Sequence, residues 1–532
     1  MDMIGSYYEL DRDTFDGMCM SPIIINANVA AIVGVHIGGV TGTNRGCGAA
    51  ITWQNIADAI KQLMGMSCTY VPGAVATDIE DSVYNKQYAV SSSVHNKCPS
   101  RFITGSCDLE VYGTVTGRVT ATSKVIPTPM STIVEEVCGV PNQWGPPKFV
   151  NPVVLPDGRV DNQAWKPWFT ALEVCSKPSI GFDPMDVEEA MVDYIHELEE
   201  AYDAQREVWD KDVRPLTDVE IVSGIDGKRF IDAMASNTSM GFPLSGPKNK
   251  YLVDLESTDE HSRPRTFLPE IWEEVARLQE KASKGESLNQ IFGAALKDES
   301  TKLSKDKVRV FQAAPVALQI LIRKYFLPVA RFLSMNPLLS ECAVGINAHG
   351  PEWHELSEFM AKFGDDRIIG GDYSRYDLRM PAQLVIAAFS VLIRIAVISG
   401  NYSQSDIKCM FVVAHEVATP LIAFDGTLMR FIGTNPSGQN MTVYINSIVN
   451  SLLHRIAFRS VYPTERLITI GQELELGRPA RFRDMVALAT YGDDAKGSVR
   501  RGYDDFNHIT MGQCMAANDI VYTMSDKESE PV

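Results

Sequence analysis

Two adjacent carboxylates, Asp493 and Asp494, stand at the tip of a predicted β-hairpin. Apolar residues 485–488 lead into the tip, and Gly492 supplies a turn residue. Adjacent like charges repel one another unless a cation lies beside them. Hard cations such as Mg²⁺ take carboxylate oxygens and leave positions open for phosphate. The stretch therefore fits metal-assisted phosphoryl chemistry, although a plain Asp-Gly-type turn would have the same local sequence.

A second acidic set lies far upstream. Ile368 and Ile369 predict a short buried strand with Asp372 at its end, and Asp377 follows before a predicted helix. Two strands that end in acids and meet in space can hold two metal ions roughly 4 Å apart, which clamp the attacking and leaving oxygens of a phosphoryl transfer. Together the two sets predict such a two-metal site.

The elements around these acids are a basic hairpin and a long helix. Residues 297–309 contain four Lys and one Arg, and the apolar residues after Arg309 favour a hairpin packed on a core over a solvated charged loop. Residues 435–441 predict a turn, after which apolar residues recur at helical spacing. Thr442 and Asn446 are four residues apart, so they share one face of that helix.

The composition sets bounds on the class of protein. A chain of 532 residues predicts two to four domains, and 45% hydrophobic with 22% charged residues is typical of a soluble globular protein. The net charge of −18 argues against a generally basic surface, so contact with nucleic acid needs a local basic channel. Ten scattered cysteines without a C-x-x-C pair indicate neither a zinc ribbon nor a disulfide framework, and favour a reducing cytosol.

Two further segments have an expected environment. Residues 183–212 are dense in Asp and Glu and predict a solvated helix face. The apolar run at residues 381–399 contains Gln383 and Arg394, which favours a buried helix over a membrane span. We expect no transmembrane segment in this chain.

These motifs resemble those of the RNA-dependent RNA polymerases of picorna-like (dicistrovirus- and marnavirus-like) positive-strand RNA viruses. Residues 372–377 (Asp-Tyr-Ser-Arg-Tyr-Asp) resemble motif A, and residues 491–494 (Tyr-Gly-Asp-Asp) resemble motif C. The remaining matches are residues 238–243 (Thr-Ser-Met-Gly-Phe-Pro) to motif G, 297–309 to motif F, 435–446 to motif B and 522–527 to the end of motif D. The order G, F, A, B, C, D is that of the family.

The resemblance implies a role for each matching residue. Asp372, Asp493 and Asp494 would be catalytic ligands of Mg²⁺ (or Mn²⁺), and Lys527 would protonate the leaving pyrophosphate. The residues implied to bind the nucleotide are Lys297, Arg309, Asp377, Ser437, Thr442 and Asn446, and those implied to bind template RNA are Thr238, Ser239, Gly241, Lys305 and Lys307. Asp377 with Ser437 and Asn446 would recognise the 2′-hydroxyl, which both donates and accepts hydrogen bonds.

The first residues resemble the end of the chymotrypsin-like cysteine protease that precedes the polymerase in picorna-like polyproteins. Cys19 matches the nucleophile and His36 the histidine of the substrate pocket. Met20 replaces the usual glycine near the oxyanion hole. The general base would precede residue 1, so Cys19 is not activated and this part is predicted to be proteolytically inactive.

The expected fold class is α+β: a right-hand polymerase with fingers and a palm whose antiparallel sheet is backed by helices, with the thumb missing and a piece of an all-β chymotrypsin-like barrel in front. The expected domains are residues 1–60 (protease fragment), 61–110 (junction), 111–360 (fingers and N-terminal region) and 361–532 (palm). Gln54, Gln62 and Gln87 are alternative sites for the cleavage between protease and polymerase.

The expected function is RNA-templated RNA synthesis in the replication of a positive-strand RNA virus. Implied partners are RNA template and primer, ribonucleoside triphosphates, and other viral replication proteins including a protein primer, at membrane-associated replication complexes in the host cytoplasm. The alternatives are an inactive scaffold and a reverse-transcriptase-like enzyme. The presence of all the expected acids argues against a scaffold, and Ser437 and Asn446, with Gly rather than Met or Val before Asp493, favour RNA synthesis.

Overall fold

The computed structural model describes residues 5–9, 22–25, 31–39, 43–50, 69–70, 109–115, 122–149, 152–154, 158–177, 181–259, 261–305 and 308–524. The chain divides into two compact units. The first unit comprises Met1–Ser67 and Thr104–Cys107, and the second comprises Cys68–Ile103 and Asp108–Val532.

The described part of the first unit is one antiparallel sheet. Its strands are β1 (Gly5–Glu9), β2 (Pro22–Ile25), β3 (Ala31–Gly39) and β4 (Arg45–Ala50), in the spatial order β1-β4-β3-β2. Irregular register in β2–β3 and β3–β4 marks bulges, which bend and twist a sheet.

The second unit holds the remaining strands and all the described helices. The strands are β5 Thr69–Tyr70, β6 Leu109–Thr114, β7 Trp144–Gly145, β8 Pro152–Val154, β9 Val160–Trp165, β10 Leu252–Asp254, β11 Arg265–Phe267, β12 Ile291–Leu296, β13 Thr301–Lys302, β14 Val310–Ala313, β15 Ile368–Tyr373, β16 Leu421–Phe424, β17 Thr427–Phe431, β18 Val486–Tyr491, β19 Asp494–Val499 and β20 Tyr522–Thr523. The helices are α1 Met130–Cys138, α2 Lys166–Cys175, α3 Pro184–Ala204, α4 Arg206–Asp212, α5 Asp218–Ser223, α6 Pro269–Ser283, α7 Val316–Met335, α8 Pro351–Met360, α9 Tyr376–Arg379, α10 Ala382–Ser399, α11 Gln404–Ala418, α12 Thr442–Val461, α13 Thr464–Glu473, α14 Phe482–Met485 and α15 His508–Ala517.

A four-stranded antiparallel sheet in the order β18-β19-β15-β20 carries both acidic sets. Helices α8, α12 and α15 pack against it. Gly497 of β19 lies in the middle of the sheet, where a Cβ would stand 2.1 Å from the carbonyl oxygen of Ala487. Strands β18 and β19 therefore approach so closely at this point that position 497 has no room for a side chain.

A six-stranded mixed sheet, in the order β14-β12-β16-β17-β6-β5, contains the basic hairpin. Strands β12 and β14 pair antiparallel, and β12 pairs with β16 in parallel. The predicted hairpin packed on a core is therefore confirmed for β12 and β14. Residues 297–309 form the connection between these strands, and its Lys297, Lys302 and Lys305 are exposed.

The apolar helix α10 lies in the core. Within the described residues it is the one helix long and apolar enough to cross a membrane, with a mean hydropathy of 2.1. Most of its residues are buried, and it packs against α3, α7, α11 and α12.

The prediction of a solvated acidic face at residues 183–212 is right for only part of α3. Four of its acids are exposed: Asp186, Glu188, Glu200 and Asp203. Asp193 and Glu197 instead bond the guanidinium groups of Arg455 and Arg483, at 2.8 and 3.0 Å. These two acids lie beside the apolar residues of α3 that face the core, so they meet arginines rather than water.

Candidate active site

The turn between β18 and β19 presents the first acidic pair. Tyr491 and Asp494 are cross-strand partners, so Gly492 and Asp493 form a two-residue loop. Gly492 has a φ of +67°, in the left-handed region that glycine adopts without a steric penalty. Asp493 and Asp494 are exposed at this tip. The predicted hairpin with two carboxylates at its end is therefore confirmed.

Asp372 lies on the neighbouring strand. In β15, Gly371 pairs with Ala495 and Asp372 with Thr523, which places Asp372 beside the acidic turn. A Cβ on Gly371 would come within 2.2 Å of the ring of Tyr522, so glycine is required for that ring to cover the strand. Ile368 at the start of β15 is exposed, which differs from the predicted buried strand entry.

The charges of the three acids act on one another. Burial and then the charges of Asp493 and Asp372 raise the pKa of Asp494 above its ordinary value. Among the described residues, however, no group of three or more His, Cys, Asp or Glu side chains is arranged to hold a metal ion. The three carboxylates fit a hard divalent cation by their chemistry and their mutual repulsion, but their oxygens are not arranged around one point.

Asp377 and Asn446 are in direct contact. Asn446 Nδ2 donates to Asp377 Oδ1 at 2.5 Å, and Asn446 Oδ1 accepts from Asn435 Nδ2 at 2.7 Å. Burial raises the pKa of Asp377 to about 6; the charge of Asp493 adds to that rise, while the Asn446 hydrogen bond and the charge of Arg309 oppose it. Asp377 lies in the one-turn helix α9, and Asn446 in α12.

The loop before α12 packs on the basic hairpin. The N–H of Gly438 donates to the carbonyl of Gln312, and Ala314 N–H donates to Gly438, at 2.9 and 3.1 Å. Ser437 is exposed at this loop. Thr442 Oγ1 donates within the loop to the carbonyls of Pro436 and Gln439, at 2.8 and 3.0 Å, so its hydroxyl holds the loop in this structure.

Two predicted phosphate-binding cations share one carboxylate. Arg309 Nε and Nη2 donate to both oxygens of Glu299 at 2.6 and 2.7 Å, and Lys297 Nζ lies 3.0 Å from the same group. A triphosphate would have to displace Glu299 from them. Arg309 also interacts with the charges of Asp377 and Asp493, so it lies near the acids. Lys305 is exposed in the same hairpin.

The predicted template loop is anchored beside this hairpin. Gly241 has a φ of +78°, and a Cβ there would stand 2.5 Å from the carbonyl oxygen of Ala314. The buried Lys248 donates to Thr238 Oγ1 at 2.9 Å and to the carbonyl of Ser239 at 2.8 Å. The ammonium group of Lys248 therefore holds this loop in place, a role that was not predicted from the sequence.

Four predicted residues add nothing to this geometry. Cys19, Lys307 and Lys527 lie outside the described residues. His36 lies in β3 of the first unit, where it pairs with Gly48 of β4.

Two residues of α12 that contact the acidic turn, Ser447 and Asn450, were not predicted from the sequence. Ser447 Oγ accepts the N–H of Gly492 at 2.9 Å. Asn450 Nδ2 lies 3.1 Å from the carbonyl oxygens of Gly492 and Asp493. A signal for Asn450 was present, because Thr442, Asn446, Asn450 and His454 recur every four residues and form a polar stripe along the helix.

The family described as "Viral RNA-dependent RNA polymerase" matches residues 193–528, which is more than half of the chain. The chain is 28% identical to the genome polyprotein of Deformed wing virus over 338 residues, which are 60% of this chain and 11% of that polyprotein. It is 24% identical to the replicase polyprotein of Cricket paralysis virus over an alignment of 559 positions, which covers 99% of this chain and 29% of that polyprotein. The chain thus spans less than a third of the length of these curated relatives.

One solved structure is similar over most of its length. The Sicinivirus 3Dpol RNA dependent RNA polymerase aligns with a TM-score of 0.54 at 17% identity, covering 78% of this chain and 76% of that chain. At this identity the likeness shows the fold alone.

Proposed function

The chain belongs to the viral RNA-dependent RNA polymerase family, and from this membership we propose that it adds ribonucleotides to an RNA primer under the direction of an RNA template. The resemblance to picorna-like polymerases stated from the motifs is confirmed by the family match and the polyprotein relatives. The observation that carries the proposal is the Asp377–Asn446 hydrogen bond beside the acidic turn. The amide of Asn446 can donate a hydrogen bond to a ribose hydroxyl and the carboxylate of Asp377 can accept one. Both would lie next to the carboxylates suited to phosphoryl transfer.

Each group has a proposed task. Asp372, Asp493 and Asp494 would hold divalent metal ions, which polymerases of this family in general use. When bound, such ions supply activation of the primer hydroxyl and neutralise charge on the leaving pyrophosphate. Arg309 and Lys297 would bind the triphosphate, since a guanidinium fork matches phosphate oxygens. Asp377 and Asn446 would hold the ribose, with the exposed Ser437 of the loop before α12 and with Thr442, the first residue of α12.

The template side of the proposal rests on the loop at residues 238–243. Thr238, Ser239 and Gly241 would guide the template strand, because Lys248 and the Ala314 backbone fix this loop beside the basic hairpin. Lys305 and Lys307 would contact RNA phosphates, and Lys527 would protonate pyrophosphate. The partners implied are template, primer and ribonucleoside triphosphates, and the place of action is the host cytoplasm. Contacts with a protein primer, other replication proteins and membranes stay predictions.

The remaining domain predictions also stay predictions. The antiparallel sheet β1–β4, with His36 in β3, supports the proposal that the first unit derives from a chymotrypsin-like barrel. Its proteolytic inactivity and the boundaries at 60, 110 and 360 stay predictions. Strands β16 and β17 come from the predicted palm segment but pair within the sheet of the basic hairpin, so a test of these boundaries must treat residues 421–431 separately.

The test is single-nucleotide addition to a primer–template RNA in Mg²⁺ or Mn²⁺. One addition suffices, because it requires only the groups for chemistry. We expect addition by the wild-type chain and its loss in Asp493→Asn, while Asp505→Asn, an exposed acid outside the site, keeps it. RNA binding should persist in Asp493→Asn. Equal rates in wild type and Asp493→Asn, or no addition by the wild type with either metal, would contradict the proposal.

The alternative functions give different outcomes in the same assay. An inactive scaffold would bind RNA without adding any nucleotide. A reverse-transcriptase-like enzyme would add deoxyribonucleotides at least as fast as ribonucleotides. The direct Asp377–Asn446 contact favours RNA synthesis, because a site that hydrogen-bonds a hydroxyl disfavours substrates that lack it.

A further inference from the structure

The side-chain amide of Asn450 lies between the two acidic segments. Its Nδ2 donates to the carbonyl oxygens of Gly492 and Asp493 at 3.1 Å each, with that of Asp494 at 3.4 Å. Its Oδ1 accepts from the hydroxyl of Tyr373 at 3.1 Å. One fully buried amide thus joins the acidic turn to the strand of Asp372.

The Tyr373 end of this bridge is rigid. Tyr373 directly follows Asp372 in β15, and its ring packs against the rings of Tyr376 and Tyr522 at centroid distances of 4.5 and 4.7 Å. Tyr373 is buried, and its hydroxyl donates to Asn450 Oδ1. A fixed donor on β15 therefore sets the orientation of the amide.

The turn end is held at a second point from the same helix. Ser447 Oγ accepts the Gly492 N–H at 2.9 Å and donates to the carbonyl of Val443 at 2.8 Å. Ser447 and Asn450 are three residues apart, so they lie on one face of α12. The hydrogen bonds from Ser447 and Asn450 to the turn are to its backbone, and the side chains of Asp493 and Asp494 are exposed.

We propose that Asn450 is a positioning residue that sets the spacing between Asp372 and the Asp493–Asp494 pair, and thereby the affinity of this site for divalent metal ions. The inference rests on the proposed function, because it assigns Asn450 to the same acidic site. Groups that orient metal ligands without touching the metal typically change its affinity about 10–100-fold when they are replaced.

The test uses Mn²⁺ binding to the full chain, followed by electron paramagnetic resonance. Asn450→Asp keeps the shape and can still accept from Tyr373, but it cannot donate to the turn carbonyls and places a negative charge against them. We expect its Mn²⁺ affinity to fall about 10–100-fold, and that of Tyr373→Phe to fall less, since only one of the contacts is lost. The Mg²⁺ concentration for half-maximal nucleotide addition should rise in the same order.

Ser451→Ala is the matched control. Ser451 follows Asn450 in α12 and is equally buried, and within the described residues its Oγ has no hydrogen-bond partner. We expect it to leave Mn²⁺ affinity unchanged. A purely structural role for Asn450 predicts a lower Tm in Asn450→Asp with wild-type Mn²⁺ affinity in the folded protein, and this result would overturn the inference.

Three further outcomes are decisive. If Asn450→Asp does not fold, Tyr373→Phe, which removes a single hydroxyl, decides the matter: unchanged Mn²⁺ affinity overturns the inference and reduced affinity supports it. If the wild type adds nucleotides and Asn450→Asp has the same metal dependence, the inference fails while the proposed function stands. If the wild type neither binds Mn²⁺ nor adds nucleotides, the proposed function fails and the inference falls with it.

Discussion

Arg455 and Glu341 form a bidentate ion pair in the core of the second unit, with Nη1 and Nη2 of the arginine 2.8 and 2.7 Å from the two carboxylate oxygens. Neither side chain reaches solvent beyond 1% of its surface. The backbone carbonyl of Glu341 accepts from the N–H and the hydroxyl of Thr490, at 2.7 and 2.9 Å. Thr490 lies just before the acidic turn, so this ion pair supports the strand that carries the turn.

Glu341→Gln should strongly destabilise the protein. The substitution leaves the charge of Arg455 buried and short of its main partner, and breaking a buried pair in this way costs about 3–5 kcal/mol. The free energy of unfolding from urea titration is the measurement. Glu280→Gln is the control, because Glu280 pairs with Lys284 on the surface and should give no measurable change. Equal stability of the two variants would contradict the role of the buried pair.

Asp377→Asn should stabilise the metal-free protein at neutral pH. Burial raises the pKa of Asp377 to about 6, so the folded protein binds this proton more tightly than the unfolded chain does. The cost of the ionised carboxylate therefore grows as the pH rises from about 4 to about 6 and is complete above that range, and it becomes small near pH 4 and below, where the group is increasingly protonated in both states. The Tm of the variant should exceed that of the wild type at pH 7.5 and equal it near pH 4, in buffer with a chelator.

A matched acid separates this effect from a change in net charge. Asp505→Asn removes one carboxylate at an exposed position, and its Tm should follow the wild type across the same pH range. A Tm difference for Asp377→Asn that stays constant with pH would show that the substitution acts through packing rather than through the ionisation of Asp377.

The sequence allowed much of the site to be predicted because its elements have strong local patterns. The hairpin at Asp493, the helix from Thr442 and the basic hairpin follow from turn residues and hydrophobic spacing, and the α+β fold with an antiparallel palm sheet is confirmed. The motifs implied that Asp377 and Asn446 act on the same ribose hydroxyl, and the structure brings these side chains into contact.

What could not be predicted are pairings between residues distant in sequence. Asp193 and Glu197 of α3 were predicted to face solvent, because a helix pattern does not show that Arg455 and Arg483 pair with them. Glu299 belonged to the basic segment, but its position between Lys297 and Arg309 depends on how the hairpin closes. Such contacts depend on tertiary structure, which periodicity and spacing do not encode.

Asn446→Ala should narrow the preference for ribonucleotides over deoxyribonucleotides. The amide donates to Asp377, so its loss leaves a half-buried carboxylate without its hydrogen-bond donor and the ribose hydroxyl without a defined partner. A hydrogen bond to a charged group is worth about 1.5–3 kcal/mol, and we expect the preference ratio to fall by roughly tenfold or more.

The ratio of kcat/KM for a ribonucleotide and its deoxy analogue is the measurement. Asn518→Ala is the control, since the side-chain amide of Asn518 donates to the local carbonyl of Cys514 at the end of α15. An unchanged ratio in Asn446→Ala would remove Asn446 from the ribose site, whatever its effect on the overall rate.

Arg309→Lys should weaken nucleotide binding although it keeps the charge. The guanidinium of Arg309 holds Glu299 through two parallel hydrogen bonds, and the same fork is suited to two phosphate oxygens. A lysine is a point charge without this fork. Losing one hydrogen bond to a charged group costs about 1.5–3 kcal/mol, so we expect KM for the nucleotide to rise about tenfold or more, with a smaller change in kcat.

The control for Arg309→Lys is Lys302→Gln in the same hairpin. Lys302 is in β13, which pairs with β7, and its ammonium lies 5.7 Å from the centre of the ring of Trp144 in β7. Removing the charge of Lys302 should leave KM for the nucleotide within about twofold of wild type, because this ammonium lies against Trp144. If Arg309→Lys keeps the wild-type KM, the triphosphate does not depend on the fork of Arg309, and the two hydrogen bonds to Glu299 are a structural feature of the hairpin alone.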